Sequence, residues 1–357
     1  MIAMLNDETM NSTQNPQLPQ QYGYRMRAEW ERQESLWLAW PAKQDLWTEQ
    51  LPGAQKAVLE TAKAAHDGGL RVEFVVETPE DIEVVKTQLQ AFKVDAHFHP
   101  IPFGDIWLRD IGPIFVSKDS GHLATVCFQF NGWGGKYNLA GDQAVAMEIA
   151  KTRGFPIFEA PFILEGGAIE VDGEGNALTT EQCLLNANRN KNLDRKANEK
   201  LLSDYLGIEN VIWLGKGLHH DHTDGHIDNI ARFVSPGVIV CMESLLKNDP
   251  QRDILADILK RLKKAKDAHG KKFEIFTVPS PGLIKGAEGD TMPASYLNFV
   301  ILNDVVAFPS FKANMDEQVY YRLENLFPSK KILAIDCRDL LSGGGTLHCM
   351  SKNQPQA

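Results

Sequence analysis

Cysteine is scarce and scattered. The chain has 357 residues and five cysteines (Cys127, Cys183, Cys241, Cys337 and Cys349), with no CxxC pair. An odd, dispersed set excludes a disulfide framework or a zinc ribbon and points to a reducing, cytoplasmic setting. Long apolar runs are also missing. None approaches the roughly 20 residues that a membrane helix needs. Basic charge is in deficit: 37 Lys and Arg face 47 Asp and Glu, a formal net charge of −10. That balance argues against a nucleic-acid backbone as partner and suits a small cationic one. The first residues are polar and acidic, without the basic and apolar regions of a secretory signal, and 1–21 reads as a disordered tail. No Pro- or Gly-rich linker divides the remainder, so 22–357 is expected to be one domain.

What is present is ordinary globular composition, 43% hydrophobic and 24% charged, with a loosely recurring pattern. Apolar residues at i, i+3, i+4 predict helices near 54–67, 79–92, 141–153, 193–206, 249–268 and 316–327. Gly69, Gly154, Gly207 and Gly270 are expected to follow helices. A short strand follows each helix: RVEFVVE, VDAHFHPIP, FPIFEAP, NVIWLG, KFEIFTVP and KILAID. Polar stretches then centre on Asp110, Glu165, His226 with Asp228, Asn298 and Cys349, at steps of 55, 61, 72 and 51 residues. Stacked units of this length predict a pseudo-symmetric, propeller-like α/β array. An ordinary α/β sheet with functional loops at its strand ends is the competing architecture.

Three stretches carry candidate chemistry. In HHDHTDGHID (219–228), four of the ten histidines sit among three aspartates. The loop could bind a metal, supply an acid/base, or be a plain polar loop. If it is a strand, His226 and Asp228 point the same way. In SGGGTLHCMS (342–351), consecutive glycines let a backbone approach a ligand closely, and Cys349 follows them. His348, adjacent to Cys349, should face away, so the imidazole partner is expected to be the distant His226. The other four cysteines read as small buried apolar residues. In WLRDIGPIFV (107–116), Asp110 precedes a Gly-Pro turn and a strand; Arg109 and Asp110 could form a structural ion pair. Trp30, Trp37, Trp40 and Trp47 read as core, and the basic run 260–272 as a solvated helix face.

One thiol, one imidazole and two carboxylates suit a guanidinium ion. Carboxylates grip its forked N–H donors by charge-assisted hydrogen bonds, and burying the cation requires such anions. Asp110 and Asp228 would hold the group, Cys349 would attack its central carbon, and His226 would protonate departing ammonia. No metal or organic cofactor is needed.

WLRDIGPIFV, LEGGAIEVDGEGNALTTEQCLLNANRN, TDGHIDNIARFV, SGGGTLHCMS and RAEWERQESLWLAWP resemble, in order, the signatures of the agmatine deiminase family, which includes the Porphyromonas-type peptidyl-arginine deiminases. The resemblance implies a five-bladed α/β-propeller, the pentein fold, with the site on its central axis. It implies Cys349 as nucleophile, His226 as acid/base, Asp110 and Asp228 as guanidinium ligands, and Glu165 as a residue shaping the site. The implied reaction converts agmatine and water to N-carbamoylputrescine and ammonia. Departures from the family pattern fall at His222, at Asn190-Lys191 and at Met350-Ser351-Lys352-Asn353. They leave agmatine, free arginine and peptidyl (C-terminal) arginine open as substrates. Trp107, Trp133, Asp224 and Glu165 are candidates to meet agmatine's second cation. Lys352 could instead favour a carboxylate-bearing substrate. A homo-oligomer is compatible with all of this, and a metal-dependent hydrolase on 219–228 is the remaining alternative.

Overall fold

Because parallel strands must be joined by a crossover, usually a helix, the alternation of helices and short strands dictates a layered α/β structure. The computed structural model describes residues 18–286 and 289–357. The expected helices form at Leu51–Asp67, Asp81–Phe92, Asp142–Arg153, Arg195–Leu206, Arg252–Leu262 and Asp316–Leu326. Local chemistry sets several of their ends. The Asp194 side chain accepts from the Ala197 amide, and Gly154 and Gly207 close their helices in the left-handed region.

Five sheets of three or four strands repeat one pattern among the described residues. An antiparallel pair is followed by a helix and then a parallel strand. β4 (Ile114–Ser117), β5 (Leu123–Gln129) and β6 (Ile157–Ile163) form one sheet; β7 (Glu170–Val171), β8 (Asn176–Thr180) and β9 (Asn210–Leu214) form the next. β10 (Ala231–Ser235), β11 (Val238–Glu243) and β12 (Glu274–Pro279) repeat the order. So do β15 (Val300–Ile301), β16 (Val305–Ser310) and β17 (Lys331–Asp336), after a small hairpin of β13 (Ile284–Lys285) and β14 (Thr291–Met292). The remaining sheet joins the two ends of the chain. β1 (Gln33–Ala39) lies parallel to β2 (Arg71–Val76), which continues to β3 (Ala96–Pro100). β18 (Ser351–Pro355) adds antiparallel to β1, pairing Trp37 with Lys352. Covered on both faces, the parallel strands are near-continuously apolar, as in VVAF of β16 and LWLA of β1.

The recurrence positions the site. Asp110, Glu165, His226 with Asp228, Asn298 and Cys349 each stand a few residues before β4, β7, β10, β15 and β18, the first strand of the pattern in every sheet. Five separated loops are thereby brought to equivalent places. A buried charge cluster lies beside them. Arg232 is fully buried, meets Glu29 and Glu170 at 2.9 Å each, donates to the carbonyls of Leu297 and Phe299, and covers the Phe299 ring.

Several expectations need correction. The tail was drawn to residue 21, but Pro19–Tyr22 form a turn of 3-10 helix packed against Arg195–Leu206; residues 1–17 lie outside the described ones. The basic run 260–272 is not one long helix face. The helix ends at Leu262, and the Asp267 carboxylate then accepts from the amides of His269 and Lys271, folding a turn through Gly270. His226 and Asp228 are not in a strand; they flank and enter the 3-10 turn Ile227–Asn229. Arg109 does not pair with Asp110 but reaches Asn353, the His348 carbonyl and Glu29. Trp37 and Trp40 are core as expected, whereas Trp30 is only partly buried. No helix among the described residues is long and apolar enough to cross a membrane.

Arg232→Met should lower folding stability by about 3–5 kcal/mol, because it strands buried carboxylates at Glu29 and Glu170. Urea denaturation followed by fluorescence measures this, and an unchanged midpoint would contradict it.

Candidate active site

The glycine run before Cys349 has a steric reason at each position. A Cβ on Gly343 would lie 2.6 Å from the Trp47 ring, and one on Gly345 would lie 2.7 Å from the Trp107 ring and 2.8 Å from the Cys349 Cβ. Gly344 has φ 105°, a conformation that side-chain-bearing residues avoid. The backbone can thus lie against two indole rings and present the thiol to a cavity of about 460 Å³. Cys349 lines that cavity with Trp47, Trp107, Asp110, Trp133 and Tyr137.

Asn298 fixes the thiol. Its amide nitrogen donates to Cys349 Sγ at 3.1 Å, and its oxygen accepts from Thr346 Oγ1 and the amides of His348 and Cys349. Cys349 Sγ lies 3.7 Å from Asp228 Oδ2. Burial, then the anions of Asp228 and Asp110, push its pKa well above the ordinary thiol value. The free protein therefore holds a thiol, not a thiolate.

The carboxylates are aimed by specific donors. Asp110 accepts from the Gly167 amide at 2.9 Å and from Trp133 Nε1 at 2.8 Å. Trp133 holds φ 53°, an uncommon conformation for a large side chain, in a turn where the Asn131 side chain caps the Gly134 amide. Burial raises the Asp110 pKa against the lowering effect of His226. Asp228 Oδ2 faces His348 Nδ1 at 2.8 Å, while its buried Oδ1 has no protein partner. Burial opposes ionisation of Asp228, but the His348 contact and the nearby cations hold its pKa below the usual carboxylate range.

His226 is completely buried, with Nδ1 3.7 Å from Asp110 and Nε2 3.8 Å from Glu165; neither nitrogen has a hydrogen-bond partner. Burial alone would depress it. Asp110, Cys183 and Glu165 outweigh burial and raise its pKa well above the ordinary imidazole value. Glu165 stands behind the ring and is held by Arg189 Nε at 2.6 Å. Gly167 explains how close the set is: a Cβ there would fall 2.6 Å from His226 Nδ1, 2.9 Å from Asp110 Oδ1 and 3.1 Å from Asp228 Oδ2.

Of the anticipated positions, Cys349, Asp110, Asp228, His226 and Glu165 come together, and Trp107 and Trp133 form cavity wall. Asp224 does not line the cavity; its carboxylate is held by Lys136, Asn188 and Arg189. Lys352 is buried away from it. Its ammonium position donates to the Arg109 carbonyl at 2.7 Å, and burial pulls its pKa well down. His222 does reach the cavity, where its Nδ1 lies 3.0 Å from the Tyr137 hydroxyl. Of the four histidines in 219–228, His219, His220 and His222 are exposed while His226 is buried. Among the described residues, the group close enough to hold an ion is Glu165, Cys183 and His226, only one of them from 219–228.

Residues 25–355 match the family model for the Porphyromonas-type peptidyl-arginine deiminase. The chain belongs to this family. A protein of Marinomonas sp. (strain MWYL1) is 37% identical over 359 residues, covering 95% of this chain and 96% of its own. The solved agmatine deiminase of Enterococcus faecalis superposes with a TM-score of 0.89 at 33% identity, over 95% of this chain and 98% of that one. A variant of C. jejuni agmatine deiminase with substrate bound gives 0.84 at 30% identity, over 94% and 97%.

Relative to the sequence reading, the additions within this family member are Trp47, Asp105, Gly167, Arg189 and His348, with a defined role for Asn298. Asp105, in the cavity lining, accepts from both Trp47 Nε1 and Trp107 Nε1, and burial pushes its pKa up to about 6. Only the regular spacing of the loops hinted at Asn298.

Two outcomes test the geometry. With its thiol pKa raised, Cys349 in the unliganded protein should react with iodoacetamide at pH 7 at least about tenfold slower than free cysteine, by peptide mass spectrometry. Fast labelling would contradict the assignment. Gly167→Ala should displace the His226–Asp110–Asp228 cluster and lower kcat/KM on the order of 10²-fold, with the far-UV spectrum retained.

Proposed function

We propose that the protein hydrolyses the guanidino group of agmatine to N-carbamoylputrescine and ammonia through a covalent adduct on Cys349. The observation that carries this reading is the cavity end where a neutral thiol, two buried carboxylates and a protonated imidazole meet, with Asp228 Oδ1 unpartnered. That open oxygen and Asp110 can accept from a guanidinium, whose charge weakens the anionic field that holds the thiol protonated. The thiol proton then passes to solvent through the cavity that Cys349 lines, and the Sγ thiolate attacks the central carbon.

His226 gives its proton to the departing nitrogen, so ammonia leaves and an S-alkylthiouronium remains. The neutral imidazole next takes a proton from water as its oxygen adds to the central carbon. The C–S bond then breaks as the C=O forms, and the adduct's hydroxyl proton returns to the departing thiolate, which restores the Cys349 thiol and releases the ureido product. Asp110 and Asp228 hold the planar group throughout. Glu165, anchored by Arg189, keeps His226 cationic before the first step.

The cavity wall favours agmatine over arginine substrates. Among the described lining residues there is no Lys or Arg to meet a carboxylate, while Asp105, Asp290 and the rings of Trp47 and Trp107 can meet a second cation. Related agmatine deiminases are consistent with that choice. The five recurring sheets further support reading the whole domain from residue 22 as a five-bladed, pseudo-symmetric propeller of the pentein type, with the site on its axis.

Ammonia and N-carbamoylputrescine should form from agmatine with a chelator present. Cys349→Ala should lower kcat on the order of 10⁴-fold or more. Because a buried like-charge contact costs several kcal/mol, kcat/KM for agmatine should exceed that for arginine or a C-terminal arginine peptide by about 10² or more. A higher value for the peptide would reject agmatine as substrate, and sensitivity to the chelator would reject cofactor-free chemistry.

A further inference from the structure

The imidazole next to the nucleophile is placed where the chemistry described so far does not use it. His348 is 1% exposed. Its Nδ1 lies 2.8 Å from Asp228 Oδ2, and its Nε2 lies 2.7 Å from Glu29 Oε2. Glu29 belongs to the N-terminal segment, and its other oxygen accepts from the Ile301 amide at 2.6 Å. The segment that leads into β1 is therefore wired to a carboxylate of the active site through one ring.

Both ring nitrogens face carboxylate oxygens at hydrogen-bond distance, and each such bond needs an N–H. Only an imidazolium has two. The surroundings call for that charge. Around the ring lie three carboxylates (Glu29, Glu170 and Asp228) and two guanidiniums (Arg109 and Arg232). A doubly protonated His348 brings this buried cluster to balance. The other neighbours add no cation: Lys352 is driven towards its neutral form by burial, and Cys349 is held as a thiol. Burial and the two arginines outweigh Glu29 and Asp228 and lower the His348 pKa. The cationic form rests instead on geometry, two carboxylate acceptors each at hydrogen-bond distance from one ring.

We infer that His348, held by Glu29, is a positioning residue that locks Asp228 Oδ2 and so leaves Oδ1 ionised and aimed at the substrate cation. This rests on the guanidinium reading above. Without the clamp, Asp228 can rotate, lose its negative charge more easily, and bind the guanidinium weakly. His348 itself touches no reacting atom.

The test uses two alkylating reagents on Cys349 of the full chain. 2-Chloroacetamidine is a small cation and iodoacetamide is its neutral counterpart; in each, the thiol sulfur bonds to carbon and halide leaves. The ratio of their rate constants reports the carboxylate field independently of turnover. Wild type should prefer the cation strongly at pH 8 and pH 6. His348→Asn should lose about tenfold or more of that ratio, and more at pH 6 than at pH 8, because Asp228 then protonates at higher pH. The iodoacetamide rate should not fall. Glu29→Gln should lower the ratio in the wild-type background but add little to His348→Asn, since the ring carries its effect.

A ratio in His348→Asn within twofold of wild type at both pH values would overturn the inference. Equal, additive losses for the two substitutions would also overturn it. A wild-type protein with no preference for the cation would remove the guanidinium reading, and this inference with it. Thermal melting of each variant identifies one that has merely unfolded.

Discussion

A pair of buried carboxylates with one acceptor oxygen left unpartnered is the constraint on which the rest depends. Asp110 accepts from Gly167 and Trp133 and Asp228 Oδ2 faces His348, yet among the described residues no donor reaches Asp228 Oδ1. Leaving such a group buried costs stability. Under the proposed function, a planar cation completes the set and offsets that cost. The same anions keep the Cys349 thiol protonated while the site is empty. On the proposed mechanism, the nucleophilicity of Cys349 is conditional on the arrival of a cation, and the buried thiol is protected from neutral electrophiles.

Construction of that site is a matter of approach distances as much as side chains. Five loops occupy the same position relative to their sheets, immediately before the first strand. Each contributes one or two polar groups. The loops can come so close because Gly167, Gly343 and Gly345 offer no Cβ where indole, imidazole or carboxylate atoms must lie. The β1–β18 pairing brings the Cys349 loop, close to the chain's end, against the segment carrying Glu29. Arg109 then ties that loop to the one bearing Asp110, through its own amide on the Cys349 carbonyl.

Much of this was legible from residue order. Helix periodicity, the glycine stops at Gly154 and Gly207, the five loop centres and the Cys349–His226–Asp110–Asp228 set could all be read, because they depend on local pattern and on chemistry that few residue types perform. Charge partners were not legible. Asp224 looked like a ligand for a distal amine, but Lys136 and Arg189, distant in sequence, neutralise it. Lys352 looked like a cavity cation, but strand alternation turns it inward, to a backbone carbonyl. Strand alternation would turn His348 away from Cys349, but 347–350 form a tight turn, so both side chains reach Asp228. The helix predicted over 249–268 overran because Asp267 caps a turn that apolar spacing does not register.

The central claim, that Asp110 and Asp228 together hold a guanidinium, is tested most directly by calorimetric binding of agmatine to Cys349→Ala protein, with and without Asp228→Asn. The account predicts measurable binding to the single variant and a loss on the order of 10²-fold or more in the double variant. Equal affinity in the two proteins would contradict it.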